Sequence, residues 1–331
     1  MRIAFFTQEN IDKKRIKSQL SGHHVEFFHE PLSTENVSDV HDYEIISIFL
    51  GSKVDKEILE KMPKLKLIAT ASTGFDHIDV TECKKRNIVV CNVPVYGINT
   101  VAEHTFALIL SLSRNIVKAY KKTIQHDHTI KGLEGVDIRG KTLGVIGTGN
   151  IGLHVIHIAK AFGMKVIAYD VHHNVSLADI LGFTYVPFEE LLAQSDIITL
   201  HVPYNKDTHH LINKDAISKM KKGVILINTS RGSIVENEAL IEGIDTRKLS
   251  GVGLDVIEGE ELINEEQQIL YEPKKLENLG NLIEDHILLS KDNVVFTPHI
   301  GFYSNEAVER LTSTNIQNIL TFIRGKPQNV V

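Results

Sequence analysis

Residues 142–152 of the chain read TLGVIGTGNIG, an apolar, β-branched run that leads directly into a G-x-G-x-x-G motif. Each glycine has its own task in such a motif. Gly147 permits a tight turn, Gly149 lets the backbone approach a pyrophosphate, and Gly152 lets the next helix pack closely on the strand. The stretch therefore predicts a strand, a turn and a helix whose N-terminus attracts phosphate groups.

An acidic residue follows at the spacing that this motif requires. The next predicted strand, Lys165–Tyr169, ends at Asp170, about 20 residues beyond the glycine turn. A carboxylate there can accept hydrogen bonds from both ribose hydroxyls and would repel a 2′-phosphate. The alternative is an ordinary strand–turn–helix glycine cluster, but the strand, the helix and the acid together favour a dinucleotide site that prefers NAD to NADP.

Short β-branched runs alternate with helical patterns along the whole chain, which is typical of a parallel α/β sheet. Residues 99–114 predict a buried helix in which Thr100 and Glu103 form a capping box. A last helix, 305–323, is too short to be a domain, and we expect it to pack on the first part of the chain. The predicted strands of the second series are Thr142–Ile146, Lys165–Tyr169, Ile197–Leu200, Val224–Asn228, Gly251–Leu254 and Val294–Thr297.

Size and composition restrict the class of protein. A chain of 331 residues, 42% of them hydrophobic, is long enough for two globular domains. A net charge of -6 argues against a broad surface for nucleic acid or anionic membranes. The two cysteines, Cys83 and Cys91, predict reduced thiols in a cytoplasmic protein, and we predict neither a metal site nor a membrane span.

Four polar residues follow the ends of predicted strands, where open α/β sheets bind their ligands. Arg231 follows Val224–Asn228, Asp255 and Glu260 follow Gly251–Leu254, and His299 follows Val294–Thr297. An arginine, two carboxylates and a histidine are therefore expected at the same sheet edge as the glycine turn.

These groups suit the reduction of a 2-keto acid. The planar fork of Arg231 can pair with the substrate carboxylate and polarise the keto oxygen. Protonated His299 can give its proton to that oxygen, with Glu260 holding the ring and placing a negative charge beside it. Asp255 suits the nicotinamide carboxamide. Most of the 17 histidines must be structural or solvated, and the acidic run 258–261 has the alternative of being only a solvated turn.

Taken together, five sequence blocks resemble the D-isomer-specific 2-hydroxy acid dehydrogenase family over the whole chain. The resemblance implies a flavodoxin-like substrate domain, 1–99 plus 300–331, with an inserted doubly wound Rossmann domain, 100–299, that binds NAD. It also implies a homodimer through the nucleotide domain. The blocks are residues 145–152, His201-Val202-Pro203, residues 227–232, Gly253-Leu254-Asp255-Val256 and Thr297-Pro298-His299-Ile300.

The same resemblance implies a role for particular residues. Arg231, Glu260 and His299 would be the catalytic set, with Arg231 and His299 also contacting substrate. The loop Ser72-Thr73-Gly74 would hold the substrate carboxylate through its backbone N–H groups. Implied cofactor contacts are Gly147, Gly149, Asn150, Ile151, Gly152, Asp170, Val202, Pro203, Thr208, Thr229, Ser230, Arg231 and Asp255.

Within the family the chain looks most similar to the D-lactate dehydrogenase branch. Tyr96 stands where that branch places a substrate-contacting tyrosine, and Phe302-Tyr303 matches its aromatic pair. The stretch after Glu260 also lacks the proline that is common in phosphoglycerate and glyoxylate members. The segment Glu261–Lys291 departs from expectation because it is long, charged and rather helical.

Three other functions remain open from the sequence. One is a reductase of glyoxylate, hydroxypyruvate or a branched 2-keto acid. The size of the apolar substrate pocket decides between these substrates and pyruvate. Another class is an NAD(H)-sensing corepressor, which the complete Arg231, Glu260 and His299 set disfavours. Formate dehydrogenase is disfavoured because that relative has glutamine where this chain has Glu260.

Overall fold

A computed structural model describes residues 1–6, 12–49, 51–259 and 286–331 of the chain. The chain divides into two compact units. Unit 1 comprises Met1–Gly97 and Tyr303–Val331, and unit 2 comprises Ile98–Phe302. Among the described residues, no helix has both the length and the apolar character needed to cross a membrane.

Unit 1 is built on a five-stranded parallel sheet in the order β2-β1-β3-β4-β5. This order is that of flavodoxin, which confirms the predicted flavodoxin-like fold. The strands are β1 Arg2–Phe6, β2 His24–Phe28, β3 Ile45–Ile48, β4 Leu67–Thr70 and β5 Val89–Cys91. The helices are α1 Lys13–Gln19, α2 Lys56–Glu60, α3 Val80–Lys85 and α11 Asn305–Ile323, with a 3-10 turn at Val37–Val40.

Both ends of the chain contribute to the core of unit 1. Ile316 and Ile319 of α11 pack in one apolar cluster with Ile3 and Phe5 of β1. The amide of Asn315, also on α11, donates to the Ser47 hydroxyl at 2.7 Å, so a buried polar pair accompanies the apolar contact. The C-terminal helix is therefore an integral part of this unit.

The two cysteines lie inside unit 1. Burial raises the pKa of Cys83 and of Cys91 to about 11. Both thiols are therefore protonated at neutral pH and poorly reactive, because the thiolate is the nucleophile.

Unit 2 contains a seven-stranded parallel sheet in the order β12-β11-β10-β9-β6-β7-β8. The direction of winding reverses between β6 and β9, so a ligand-binding crevice is expected at their carboxyl ends. The strands are β6 Thr142–Ile146, β7 Lys165–Tyr169, β8 Thr184–Tyr185, β9 Ile197–Leu200, β10 Val224–Asn228, β11 Leu249–Leu254 and β12 Val294–Phe296. The helices are α4 Ile98–Ser113, α5 Ile116–Ile124, α6 Asn150–Ala161, α7 Val175–Leu181, α8 Phe188–Gln194, α9 Lys214–Lys219 and α10 Asn237–Asp245, with a 3-10 turn at Gly232–Ile234.

Two details of unit 2 differ from the sequence prediction. The sheet has a seventh strand, β8, which has only two residues and so carries no periodic signal. The predicted capping box at Thr100 is wrong, because α4 already begins at Ile98 and Thr100 is buried within the helix. Asn99 instead donates from its side chain to Glu103 at 3.3 Å.

Candidate active site

The glycine turn joins β6 to α6 and leaves no room for larger residues. Gly147 has a φ of +96°, and its N–H donates to the Tyr169 carbonyl at 2.9 Å. A Cβ on Gly147 would lie 2.7 Å from the backbone carbonyl of His201, and one on Gly152 would lie 2.0 Å from the carbonyl oxygen of Gly147. Both positions therefore require glycine, one for its backbone angle and both for space.

Open space lies in front of the first turn of α6. A Cβ on Gly149 would meet no atom within 4 Å, and Gly149 and Asn150 are both exposed. Ile151 is half-buried behind them. An approachable backbone at the N-terminus of a twelve-residue helix fits the pyrophosphate of a dinucleotide.

Asp170 is held against the glycine turn. Its Oδ2 accepts from the Thr148 N–H at 2.6 Å and the Thr148 hydroxyl at 3.0 Å, and its Oδ1 accepts from the His172 N–H at 2.9 Å. Burial alone raises the pKa of Asp170, but these hydrogen bonds outweigh it and hold the pKa below its ordinary value. Tyr185, which the sequence analysis missed, shares a 2.9 Å hydrogen bond with the Thr148 hydroxyl.

Replacing Asp170 by alanine should weaken the preference for NADH over NADPH by about tenfold or more. The variant loses the repulsion between the carboxylate and the 2′-phosphate of NADPH, and a loss of ~1.4 kcal/mol corresponds to a factor of ten. The measurement is the ratio of kcat/KM for the two cofactors. Asp179→Ala, which removes an exposed carboxylate from α7, is the matched control. An unchanged ratio in Asp170→Ala would remove Asp170 from the ribose site.

The segment after β9 borders the same turn. The side chain of Val202 would lie 2.9 Å from a Cβ on Gly147, and the Thr208 hydroxyl closes the following loop by donating to the Pro203 carbonyl at 2.7 Å. The His201 N–H donates to the Ile146 carbonyl at 2.7 Å. Burial lowers the pKa of His201 to about 3, so its ring is neutral at physiological pH.

Arg231 stands on a turn that a buried asparagine fixes. Asn228, at the end of β10, donates from its amide to the Arg231 carbonyl at 2.8 Å and accepts from the Ser230 N–H at 3.0 Å. The Ser230 hydroxyl donates to the Leu200 carbonyl at 2.6 Å, and Thr229 lies 3.2 Å from the Thr105 hydroxyl, oxygen to oxygen. Asn228 was not predicted as a site residue, although a polar residue that ends an apolar strand was a usable signal in the sequence.

The Arg231 turn packs on the segment that follows β11. A Cβ on Gly232 would lie 2.1 Å from the Ile257 carbonyl and 2.4 Å from the Glu258 nitrogen, so only glycine allows this approach. Glu260 lies outside the described residues, as does most of the segment 261–291. Its predicted contact with His299 stays a prediction.

His299 lies on a loop that the carboxylate of Asp255 organises. Asp255 is only 2% exposed. Its Oδ1 accepts from the Thr297 hydroxyl at 2.6 Å and the Ile300 N–H at 2.9 Å, and its Oδ2 accepts from the Gly301 N–H at 2.7 Å. The His299 N–H donates to the Asp255 carbonyl at 2.8 Å. Asp255 therefore binds the Thr297 side chain before His299 and the backbone N–H groups of Ile300 and Gly301 after it.

This loop keeps His299 in a backbone conformation that histidine rarely adopts. Its φ is +53°, in the left-handed region, which costs on the order of 1–3 kcal/mol and persists only where surrounding contacts enforce it. Such strain concentrates at functional sites. The half-buried ring meets Phe302 edge-on, with 6.4 Å between centroids.

The strand order brings the predicted groups to one edge. Strands β10, β11 and β12 are parallel neighbours, so Arg231, Asp255 and His299 all follow carboxyl ends at the same sheet edge. Asp255 was predicted to contact the nicotinamide carboxamide. Because both of its oxygens already accept from the loop, a carboxamide would have to share them, and that role stays a prediction.

Unit 1 holds the predicted loop Ser72-Thr73-Gly74 just after β4. The Thr73 carbonyl accepts from the Asn92 amide at 2.7 Å, and the Gly74 carbonyl accepts from the Ser72 hydroxyl at 2.6 Å. The Thr73 hydroxyl donates to the Val93 carbonyl at 2.9 Å. The carbonyls are thus engaged by protein donors, which fixes the loop backbone.

Tyr96 follows β5 in the same unit. It is half-buried, and its carbonyl accepts from Nε of Arg310 on α11 at 2.7 Å. The C-terminal helix therefore fixes the segment on which the predicted substrate-contacting tyrosine stands.

Among the residues that the structure describes, one group of side chains could hold a metal ion. The candidate ligand atoms of His209, His210 and Glu258 all lie within 4.8 Å of one another. His210 and Glu258 already form an ion pair at 2.8 Å, and the rings of His209 and His210 stack with 4.0 Å between centroids. These contacts account for the arrangement without an ion, and we assign none.

The doubly wound sheet with its glycine turn makes unit 2 a dinucleotide-binding domain. Residues 106–301 match the family model for the NAD-binding domain of D-isomer specific 2-hydroxyacid dehydrogenases. The chain belongs to this family and is an NAD-dependent oxidoreductase, which confirms the predicted cofactor and class of enzyme.

Relatives with different substrates match almost the whole chain. A D-lactate dehydrogenase from Aquifex aeolicus, solved with NAD and lactic acid, is 38% identical with a TM-score of 0.89, covering 98% of this chain and 96% of that one. An aromatic 2-oxoacid reductase from Clostridium sporogenes is 37% identical, with 97% and 96% covered. A glyoxylate reductase from Thermococcus litoralis is 36% identical, with 100% and 97% covered.

Proposed function

We propose that the protein reduces a small 2-keto acid to the D-2-hydroxy acid with NADH, and that it is of the D-lactate dehydrogenase type, acting on pyruvate. The observation that carries the proposal is the placement of Arg231 and His299 on fixed loops at the same sheet edge as the glycine turn. Family membership supports the chemistry but not the choice of substrate.

Each group has a defined task in this reaction. NADH, when bound, supplies the hydride. Arg231 pairs with the substrate carboxylate and polarises the keto oxygen. Protonated His299 gives its proton to that oxygen, and in the reverse direction the neutral ring removes the hydroxyl proton. We assign Glu260 the task of orienting the His299 ring.

We propose the functional division that the family resemblance implies. Residues 1–99 plus 300–331 form the substrate domain, and 100–299 form the NAD-binding domain. In unit 1 we assign the backbone N–H groups of Thr73 and Gly74 to the substrate carboxylate. This assignment is supported by the carbonyls of Thr73 and Gly74, which already accept hydrogen bonds from the protein and so fix the loop backbone. Tyr96 is assigned to substrate contact.

The choice of 2-keto acid is tested by NADH oxidation with pyruvate, glyoxylate, hydroxypyruvate, 2-ketoisocaproate and phenylpyruvate. In an apolar pocket one methylene of the substrate changes the transition-state binding energy by only about 1–3 kcal/mol. The ranking of the kcat/KM values therefore identifies the preferred keto acid. We expect pyruvate to rank first. Another keto acid in first place would reassign the substrate, and tight NADH binding without turnover would favour a sensor instead.

We also propose that two copies of the chain form a homodimer through α5 of unit 2. No residue of α5 is buried, and Ile116, Tyr120 and Ile124 are 55%, 66% and 58% exposed. Their spacing of four residues places them along one helical face. A second copy offers the same apolar stripe, so one symmetric contact would cover both.

Tyr120→Glu should convert the dimer to a monomer, because the interface would then bury a charge without a partner. Light scattering coupled to size-exclusion chromatography measures the mass directly. Lys121→Glu makes a larger charge change on a neighbouring face of the same helix and should leave the dimer intact. A monomeric wild-type protein, or a dimer that survives Tyr120→Glu, would contradict the proposal.

We place the protein in the cytoplasm. The buried thiols of Cys83 and Cys91, with pKa values raised by burial, suit a reducing compartment. The net charge of -6 supports a small-molecule substrate rather than nucleic acid as partner.

A further inference from the structure

We propose that His104 of α4 is a positioning residue that fixes the loop 297–301 and thereby the backbone that carries His299. The inference rests on the proposed function in one respect, because the proposed function assigns proton transfer to His299. The physical contact itself does not depend on that assignment. It joins a helix residue to two strand ends of the same unit.

The contact is a short chain of polar atoms. Nε2 of His104 lies 2.8 Å from the Thr297 hydroxyl and 3.3 Å from Oδ1 of Asp255. The Thr297 hydroxyl in turn lies 2.6 Å from the same Oδ1. His104 is about one-fifth exposed at its side chain and Asp255 almost fully buried, so the chain of atoms is largely shielded from water.

The proton positions in this chain follow from donor and acceptor counts. A hydroxyl has one proton, and at 2.6 Å the Thr297 proton goes to the Asp255 carboxylate, which can only accept. Toward His104 the Thr297 oxygen must therefore be the acceptor. Nε2 of His104 must carry a proton in either charge state of the ring, and we assign that tautomer from the network.

Packing shows that the His104 ring also abuts the loop. A Cβ on Gly301 would lie 2.7 Å from Oδ2 of Asp255 and 3.3 Å from Cδ2 of His104. The loop can approach this closely only because residue 301 is glycine. His104 thus contacts the loop through a hydrogen bond at Thr297 and through van der Waals contact at Gly301.

The consequence for His299 concerns its strained backbone. Asp255 holds the loop through the N–H groups of Ile300 and Gly301. His104 supplies an N–H donor to the Thr297 hydroxyl, which in turn donates to Oδ1 of Asp255. Without that donor the Thr297 hydroxyl loses a partner in a shielded place, and the left-handed conformation of His299 loses part of its support.

Two variants of His104 separate hydrogen bonding from packing. His104→Leu removes the donor and keeps an apolar side chain, whereas His104→Gln keeps an N–H donor on a flexible side chain. Thr297→Val removes the bridging hydroxyl with little change of shape and provides a second route to the same loss. His154→Leu, on an exposed position of α6, is the matched control.

The first readout is hydrogen exchange of the peptide that covers residues 297–301, measured on the full chain with NADH bound. We expect exchange at least about tenfold faster in His104→Leu and Thr297→Val, near-normal exchange in His104→Gln, and no change in His154→Leu. Unchanged protection in both His104→Leu and Thr297→Val would overturn the proposal. This readout needs no turnover, so it stands even if no keto acid proves to be a substrate.

The second readout is steady-state reduction of the preferred keto acid. A misplaced catalytic group can cost about 10²-fold, so kcat should fall by roughly 10–100-fold in His104→Leu while the Kd for NADH is unchanged. His104→Gln should restore most of kcat. A loss of NADH binding in step with kcat, or no rescue by glutamine, would show a merely structural role.

Discussion

Replacing His299 by asparagine should lower kcat for keto-acid reduction by about 10²–10⁴-fold, which is the usual contribution of a positioned general acid. Asparagine is the informative substitution because His299 has a φ of +53°, a conformation that asparagine tolerates far better than most residues. The loop 297–301 should therefore keep its shape while the proton donor is lost.

The binding of NADH separates this outcome from a general loss of structure. Titration of the His299→Asn protein with NADH should give the wild-type Kd, because the glycine turn and Asp170 belong to other loops of unit 2. His157→Ala, at an exposed position of α6, controls for the removal of a histidine. Near-normal kcat in His299→Asn would remove His299 from the chemistry, and weakened NADH binding would assign it to the cofactor instead.

Arg231→Lys should lower kcat/KM for the keto acid by about 10²-fold. A planar guanidinium can form two parallel hydrogen bonds with a carboxylate, whereas an ammonium acts as a single point charge. A lost charge-assisted hydrogen bond costs about 1.5–3 kcal/mol, or roughly 10–100-fold in rate, and the polarisation of the keto oxygen is lost in addition.

The distribution of that loss between the two kinetic constants is also expected. Pairing with the carboxylate is present before the reaction, so KM should rise, while the keto oxygen gains charge only in the transition state, so kcat should fall. Arg247→Lys, an exposed arginine of the same unit, is the control. Normal KM and kcat in Arg231→Lys would show that Arg231 does not contact the substrate.

The sheet of unit 2 was largely predictable because its strands are short β-branched runs between clear turn signals. The predicted bounds of β6, β7, β9 and β10 agree with the structure. The strand β8 has two residues, too few for any pattern to develop. The start of α4 was misplaced because Thr100 fits a capping pattern in sequence, yet its side chain is buried by tertiary packing.

The candidate site was predictable only where a residue follows a strand. Arg231, Asp255 and His299 were found in this way, because parallel strands bring their carboxyl ends to one edge. His104 gave no such signal, since one histidine on an apolar helix looks like any other of the 17 in the chain. Its contact with Thr297 spans 193 positions of sequence and exists only in the folded protein.

The handedness of the product shows whether Arg231 and His299 hold the substrate as proposed. The preferred keto acid is reduced to completion with NADH, and the two enantiomers of the 2-hydroxy acid are separated on a chiral column. We expect the D enantiomer alone, because Arg231 and His299 fix which face of the carbonyl receives hydride and the chain belongs to the D-isomer specific family. The L enantiomer, a racemic mixture, or no hydroxy acid at all would contradict it.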